Sequence, residues 1–181
     1  PILASWQANA HQWVEILEAG ELETRKLVTD HSMVEAVLSL RPSKVLDAGC
    51  GEGWLCRRLQ QQGVAAKGVD GVAALIAAAS AKGGDFECQS FEELACLHGW
   101  PANTVDCVVF NFCLYEDQLT TQLLAAAINW VPVGGHLVIQ TLHPISHLAP
   151  NEPYEDGWKT EDWAGLRRNF SHPYRWYFRT I

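Results

Sequence analysis

Nine residues, Val45-Leu46-Asp47-Ala48-Gly49-Cys50-Gly51-Glu52-Gly53, constrain this chain more than any others. An apolar run passes into glycines at alternate positions, and a helical pattern carrying Leu55 and Leu59 follows directly. Glycines so placed let the backbone turn sharply and come close to a bound molecule, where a Cβ would collide. A plain tight turn would need only one. The segment therefore reads as a strand, a ligand-seating turn and a helix.

The rest of the chain fits a fold built around such a turn. Apolar runs predict strands near 44–48, 65–70, 84–88, 105–111 and 135–142, and helical spacing predicts helices near 53–62, 72–82, 91–97 and 117–130. Strands alternating with helices of this length form right-handed β-α-β units. The expected class is α/β, a Rossmann-like doubly wound and mostly parallel sheet with helices on both faces. Two further helices, over 4–19 and 24–39, precede the first strand, with Trp6, Ala10, Trp13 and Ile16 and then Leu27, Met33, Val34 and Val37 at helical spacing. Arg41-Pro42 ends the second, because proline disfavours helical geometry in the residue before it. Gly63 suits a left-handed helix end and Gly134-Gly135 a tight turn into the fifth strand. No internal repeat or low-complexity linker interrupts this order.

At 181 residues and 48% hydrophobic content the chain suits one domain with a packed core. Its formal charge of −8 argues against nucleic acid or an anionic membrane as the main partner. Arg167-Arg168 is the one candidate basic patch. The apolar runs are too short or too interrupted to cross a bilayer, and no signal peptide opens the chain. Cys50, Cys56, Cys88, Cys96, Cys107 and Cys113 show no C-x-x-C pairing and sit in apolar runs, which reads as buried reduced thiols and a cytoplasmic location.

Two nucleotide-like ligands compete for the turn. The dinucleotide pattern G-x-G-x-x-G, begun at Gly49, would need glycine at 54, where Trp54 stands. Asp47 places a carboxylate at the end of the first strand, suited to a cationic amino group such as that of S-adenosylmethionine and repulsive to the pyrophosphate of NAD. Asp70 ends the second strand, where a carboxylate accepts hydrogen bonds from ribose hydroxyls or caps the next helix.

Val45 to Gly53 resembles motif I of class I S-adenosylmethionine-dependent methyltransferases, and Gly68-Val69-Asp70 is similar to the acidic end of their second strand. The resemblance covers residues 40–142 and is greatest to a small-molecule branch that includes ubiquinone and menaquinone biosynthesis enzymes. It implies that Gly49, Cys50 and Gly51 lie beside the methionine part of the cofactor, Asp70 on the ribose and Gly71 or Val72 against the adenine. Gln89 or Ser90 would read the adenine edge, and Phe91 either flanks it or belongs to the core.

Asn111 and Phe112, at the end of the fourth strand, should face the reactive end of the cofactor, unless Asn111 merely caps the turn. Enzymes that methylate amino groups of DNA bases or glutamine carry Asn/Asp-Pro-Pro there. The prolines are missing here, which favours a small-molecule acceptor. If the acceptor needs a base, His143 after the fifth strand is placed for it, with His147 second. Pro144 between them argues against a metal site. Arg25 reads either as a partner for the cofactor carboxylate or as a solvated charge, and Trp6 and Trp13 as acceptor-pocket wall or plain core.

Residues 1–142 thus form the expected cofactor-binding core with its N-terminal helices. Residues 143–181 form an aromatic-rich cap or substrate segment, which the resemblance marks as truncated. The antiparallel strand pair that ends the family's sheet is expected to be missing, leaving the fifth strand as an exposed edge where a second copy could pair. The rival readings are a non-catalytic module that binds S-adenosylmethionine and an NAD-dependent oxidoreductase.

Overall fold

The computed structural model describes residues 2–96, 99–142, 157–161 and 174–178. Five parallel strands form its sheet: β1 Lys44–Ala48, β2 Ala65–Asp70, β3 Asp85–Cys88, β4 Cys107–Asn111 and β5 His136–Gln140. Their spatial order is β3-β2-β1-β4-β5. The order reverses direction between β1 and β4, which makes the carboxyl end of β1 the topological switch point where doubly wound sheets seat their ligands.

Burial follows the period of two along each strand. On one face Val45, Cys107 and Val109 pack under α2 (Asp30–Ser39) and α3 (Trp54–Gln61), against Met33, Val37, Leu55 and Leu59. On the other, Leu46, Ala48, Val108 and Phe110 pack under α5 (Phe91–Ala95) and α6 (Asp117–Ala127), against Leu94 and Leu123. Each fully buried aliphatic or aromatic side chain contributes roughly 1.5–3 kcal/mol. The alternation also puts Asp47 on the α3 side of β1, the same face as Val45.

The N-terminal helix α1 (Ile2–Ala19) lies on α4 (Ala73–Ala81), where Ala10, Val72 and Leu75 make a small core flanked by Leu3, Trp6 and Trp13. Trp6 and Trp13 meet edge to face, centroids 5.3 Å apart. The second expected helix departs from plan. Residues Arg25–Thr29 form a π-helical turn before α2 begins, a widening that interior helix positions adopt mostly near functional sites.

Among the described residues the main sheet ends at β5, as expected, while the reading of all six cysteines as buried is corrected. An antiparallel pair does follow β5: β6 (Gly157–Glu161) and β7 (Tyr174–Phe178) run opposite, Gly157 against Phe178. It forms a two-stranded sheet of its own and does not extend β5. The pair was not visible in the sequence because Tyr174-Arg175-Trp176-Tyr177-Phe178 has no clean polar alternation and no two-residue turn joins the strands. Among the described residues, β5 keeps one edge without a ladder partner. The cysteines are all free, but only Cys50, Cys56 and Cys107 are buried; Cys88 and Cys96 are exposed at or near element ends.

Gly53 and Gly63 both have left-handed backbone, at φ +78° and +83°, yet differ in surroundings. A Cβ on Gly53 would lie 2.3 Å from Cζ of Phe86, whereas one on Gly63 would meet nothing. Gly53→Ala should therefore destabilise the chain by about 2–4 kcal/mol and Gly63→Ala by about 1 kcal/mol, compared by urea denaturation.

Candidate functional site

The carboxyl ends of β1, β2, β3 and β4 open into one cavity of about 660 Å³. Its floor is the Gly49–Gly53 turn, and Asp70-Gly71-Val72, Ser90-Phe91 and Asn111–Tyr115 form the sides. Leu3, Trp6, Trp13 and Leu17 of α1 close it from above, with Arg25 and Thr29 of the π turn.

The glycines of the turn serve separate purposes. Gly49, at φ +82°, has no room for a Cβ, which would sit 2.6 Å from Cβ of Cys113 and 3.1 Å from Cζ of Phe91. Gly49 and Cys50 both donate their N–H to the Val69 carbonyl, at 2.8 and 3.0 Å, which stitches the turn to the end of β2. Gly51, at φ +56°, is the exception: a Cβ there would meet no protein atom, yet the residue borders the cavity. Its missing side chain leaves the backbone open to a ligand.

Asp70 braces this turn. Its Oδ2 accepts from the Gly51 N–H at 2.9 Å and its Oδ1 from the Val72 N–H at 2.8 Å. Burial raises its pKa, while these two donors pull it down. Asp47 is only 2% exposed. Its Oδ2 accepts a weak bond from the Cys56 thiol at 3.7 Å, and its Oδ1 is buried without any partner. Burial first, and then the nearby Asp70 charge, raise its pKa to about 7. Among the described residues only the weak Cys56 thiol bond offsets the desolvation of this carboxylate. Burial and the same two carboxylates push the Cys50 and Cys113 thiols well up, so both are held as neutral thiols.

Glu52 went unnoticed in the sequence, and it holds the turn from behind. It is 4% exposed and pairs through Oε2 with Arg57 at 2.5 Å and Lys82 at 3.2 Å, and Lys82 also reaches Glu18 of α1 at 2.9 Å. The network ties the turn, α3, the end of α4 and α1 together. Arg25 is not a solvated charge: its Nε pairs with Asp30 at 3.1 Å and its guanidinium lies over the Trp54 ring, 5.2 Å from the centroid. Trp54, which the sequence used only to argue against a dinucleotide, lines the cavity.

At the third strand, Ser90 and Phe91 border the cavity and Gln89 does not. The Gln89 amide donates instead to the Gly99 carbonyl at 2.9 Å. Ser90 caps α5, accepting from the Glu93 N–H while the Glu93 carboxylate accepts from the Ser90 N–H, a capping box. Phe91 serves two ends, facing the cavity and meeting Phe110 edge-on at 6.4 Å in the core.

At the fourth, Asn111 and Phe112 both line the cavity, and Asn111 Oδ1 is buried with no partner. Phe112 is left-handed, at φ +52°, a conformation that costs a side-chain-bearing residue about 1–3 kcal/mol. Its N–H donates to the Gln140 carbonyl at 2.8 Å and its carbonyl accepts from the Tyr115 hydroxyl, which hold it there. Glu92, Tyr115 and Glu116 also line the cavity and were not singled out in the sequence. An acidic residue just before the α6 pattern was the available signal for Glu116. His143 and His147 lie outside the described residues.

Set against known proteins, residues 18–180 match the family described as methyltransferase domain. Among solved structures, an S-adenosylmethionine dependent methyltransferase from Mesorhizobium loti is 26% identical with a TM-score of 0.54, over 69% of this chain and 58% of that one. A protein from Listeria monocytogenes, 18% identical, shares the fold at a TM-score of 0.60 over 77% of this chain and 68% of its own. The plantazolicin methyltransferase, solved with a triazolic desmethylPZN analog and SAH, shares the fold at 19% identity and a TM-score of 0.50, over 72% of this chain and 53% of that one. This chain thus spans less than two thirds of the Mesorhizobium loti protein. No curated protein matches it. The family match covers most of the chain, strand-turn-helix seat included, and the chain belongs to the class I methyltransferase-domain family.

Proposed function

We propose that this chain binds S-adenosylmethionine at the Gly49–Gly53 turn and transfers its methyl group to a small-molecule acceptor. One observation carries the reading: a buried, unpaired oxygen of Asp47 beside a turn that is free of side chain at Gly51. A cationic amino group both donates to that oxygen and offsets its buried charge, which a neutral donor does only in part and an anionic group not at all. Asp47 would hold the ammonium of the methionine part, with Gly49, Cys50 and Gly51 alongside. Asp70, at the neighbouring strand end, would take the ribose hydroxyls with the lone pairs that its two backbone donors leave free. Gly71, Val72, Ser90 and Phe91 would enclose the adenine, and Asn111 and Phe112 would face the reacting methyl.

The cofactor supplies a sulfonium, whose methyl is electrophilic without further activation. What the protein must add is alignment and exclusion of water, and holding two reactants in a near-attack arrangement lowers a barrier by roughly 7–11 kcal/mol. Here α1 roofs the cavity with tryptophan and leucine, and the Glu52 network fixes the turn beneath. A cavity of about 660 Å³ closed in this way favours a small molecule over a polymer chain. For a hydroxyl or an acidic carbon as acceptor, which must lose its proton, His143 remains the proposed base. The free edge of β5 is proposed as the contact through which two copies would associate.

The reading predicts that S-adenosylhomocysteine binds in calorimetry. Asp70→Ala should weaken that binding by at least about 1.5 kcal/mol, since it removes acceptors from the ribose and from the turn together. An unchanged dissociation constant would remove Asp70 from the site.

Asp47 also makes a prediction in pH. Its ordinary value of 3.8 applies in the unfolded chain and about 7 in the folded one. Between those values the folded chain holds the extra proton, so stability falls as pH rises from about 4 to about 7, by at most about 1.4 kcal/mol per pH unit, and is level above. Asp47→Asn should remove this dependence and leave the free chain more stable at pH 8, read by denaturation, while weakening S-adenosylhomocysteine binding. An ammonium on Asp47 favours its ionised form, so binding expels a proton below neutrality. Affinity should then drop by up to about tenfold for each pH unit below about 7. A constant affinity between pH 5.5 and 8 would show that Asp47 does not hold the ammonium.

A further inference from the structure

The acceptor end of the cavity carries a chemical preference. Asn111 and Gln140 are register partners on adjacent parallel strands, and each has a side-chain oxygen that is buried and accepts no hydrogen bond. Thr29, from the π turn opposite, has its hydroxyl oxygen buried in the same condition, and its carbonyl receives the Gln140 amide at 3.4 Å. Amide oxygens only accept, so this corner asks for a donor. Of the three, Asn111 and Thr29 border the cavity. A half-turn about χ2 interchanges the Asn111 oxygen and nitrogen, so a ligand that donates a hydrogen bond can select the orientation that presents the oxygen.

Charge decides which donor. Among the described residues the cavity is lined by Asp47, Glu52, Asp70, Glu92 and Glu116 against one cation, Arg25, which is paired with Asp30. Glu52 is neutralised from behind by Arg57 and Lys82. Asp47 and Asp70 are assigned above to the cofactor. Glu92 is exposed in the first turn of α5, beyond Ser90 at the end assigned to the adenine, which leaves Glu116: it is half-buried between β4 and α6 and makes no capping bond to that helix. Leu22, Tyr115 and Leu142 line the same cavity, and apolar walls of this kind strengthen a charge pair.

Resting on the methyltransferase reading, we infer that the acceptor is an amine with an apolar or aromatic body, its nitrogen bound between Glu116 and the Asn111 side-chain oxygen. It enters as the ammonium ion. One N–H proton passes to the Glu116 carboxylate and on to water, and the freed lone pair forms the new N–C bond. The S–C bond breaks with its electron pair remaining on sulfur. The product leaves as the methylated ammonium, one N–H poorer and one methyl richer. An acceptor carboxylate is repelled by the same lining, and an alcohol forgoes the ion pair.

Calorimetry on the chain saturated with S-adenosylhomocysteine tests this with three probes of one skeleton: 2-phenylethylamine, 2-phenylethanol and phenylacetate at pH 8. The amine should bind at least about tenfold more tightly than either of the others, the scale of a charge-assisted hydrogen bond. Glu116→Gln, which keeps the shape and disturbs no cap, should remove about tenfold of the amine's affinity and leave the alcohol's unchanged. An alcohol or carboxylate that binds as well as the amine would overturn the inference. So would the absence of amine binding, or indifference of the amine to Glu116→Gln. If S-adenosylhomocysteine itself fails to bind, the methyltransferase reading falls first, before any acceptor is added.

Discussion

Two carboxylates kept out of water at neighbouring strand ends govern this structure. Asp47 and Asp70 repel each other, and each raises the electrostatic cost of nearby groups. Asp70 is compensated by two backbone N–H groups, and in accepting them it fixes the shape of the glycine turn. Asp47 has only the weak Cys56 thiol bond, and its partnerless oxygen is a standing cost to the free chain. A fold under selection for stability alone would replace it with an apolar residue, since its neighbours Val45, Leu55 and Cys56 are all core. The cost is rational if a cation is meant to arrive there. Function and instability then share one atom.

The parallel sheet was legible because its cues are local and redundant. The central strands β1 and β4 carry short apolar runs next to proline or a charged residue, and α1, α2, α3 and α6 carry apolar residues at helical spacing. The seat was legible because three glycines at alternate positions have few other uses. The finer assignments were less so, and Gln89 and Ser90 show why. Both stand at the correct strand end, but a polar side chain there has two backbone suitors, and Ser90 is taken by a capping box and Gln89 by a carbonyl ten residues on. Which partner wins depends on the path of the chain beyond β3, which spacing does not encode.

Glu52 was invisible for a related reason. In sequence it is a charge inside a glycine turn and reads as solvated. In space three distant segments converge on it, α3 through Arg57, α4 through Lys82 and α1 through the bond of Lys82 to Glu18. Long-range convergence of this kind leaves no periodic trace. The antiparallel pair β6 and β7 escaped notice similarly, because an aromatic run without alternation does not reveal which face it turns inward.

The bookkeeping of cations completes the picture of the site. Lys82 and Arg57 are spent on Glu52, and Arg25 is drawn aside by Asp30 and the face of Trp54. Lys82, Arg57 and Arg25 are therefore each committed to a carboxylate outside the reacting volume, while Asp47 and Glu116 inside it have no cationic partner among the described residues. Had Arg25 swung onto Asp47, the buried carboxylate would be satisfied and the cavity closed to positive ligands. Arg25 is held instead by Asp30 and the face of Trp54, so the bulky residue that spoils a dinucleotide seat also packs against the cation lining the acidic pocket.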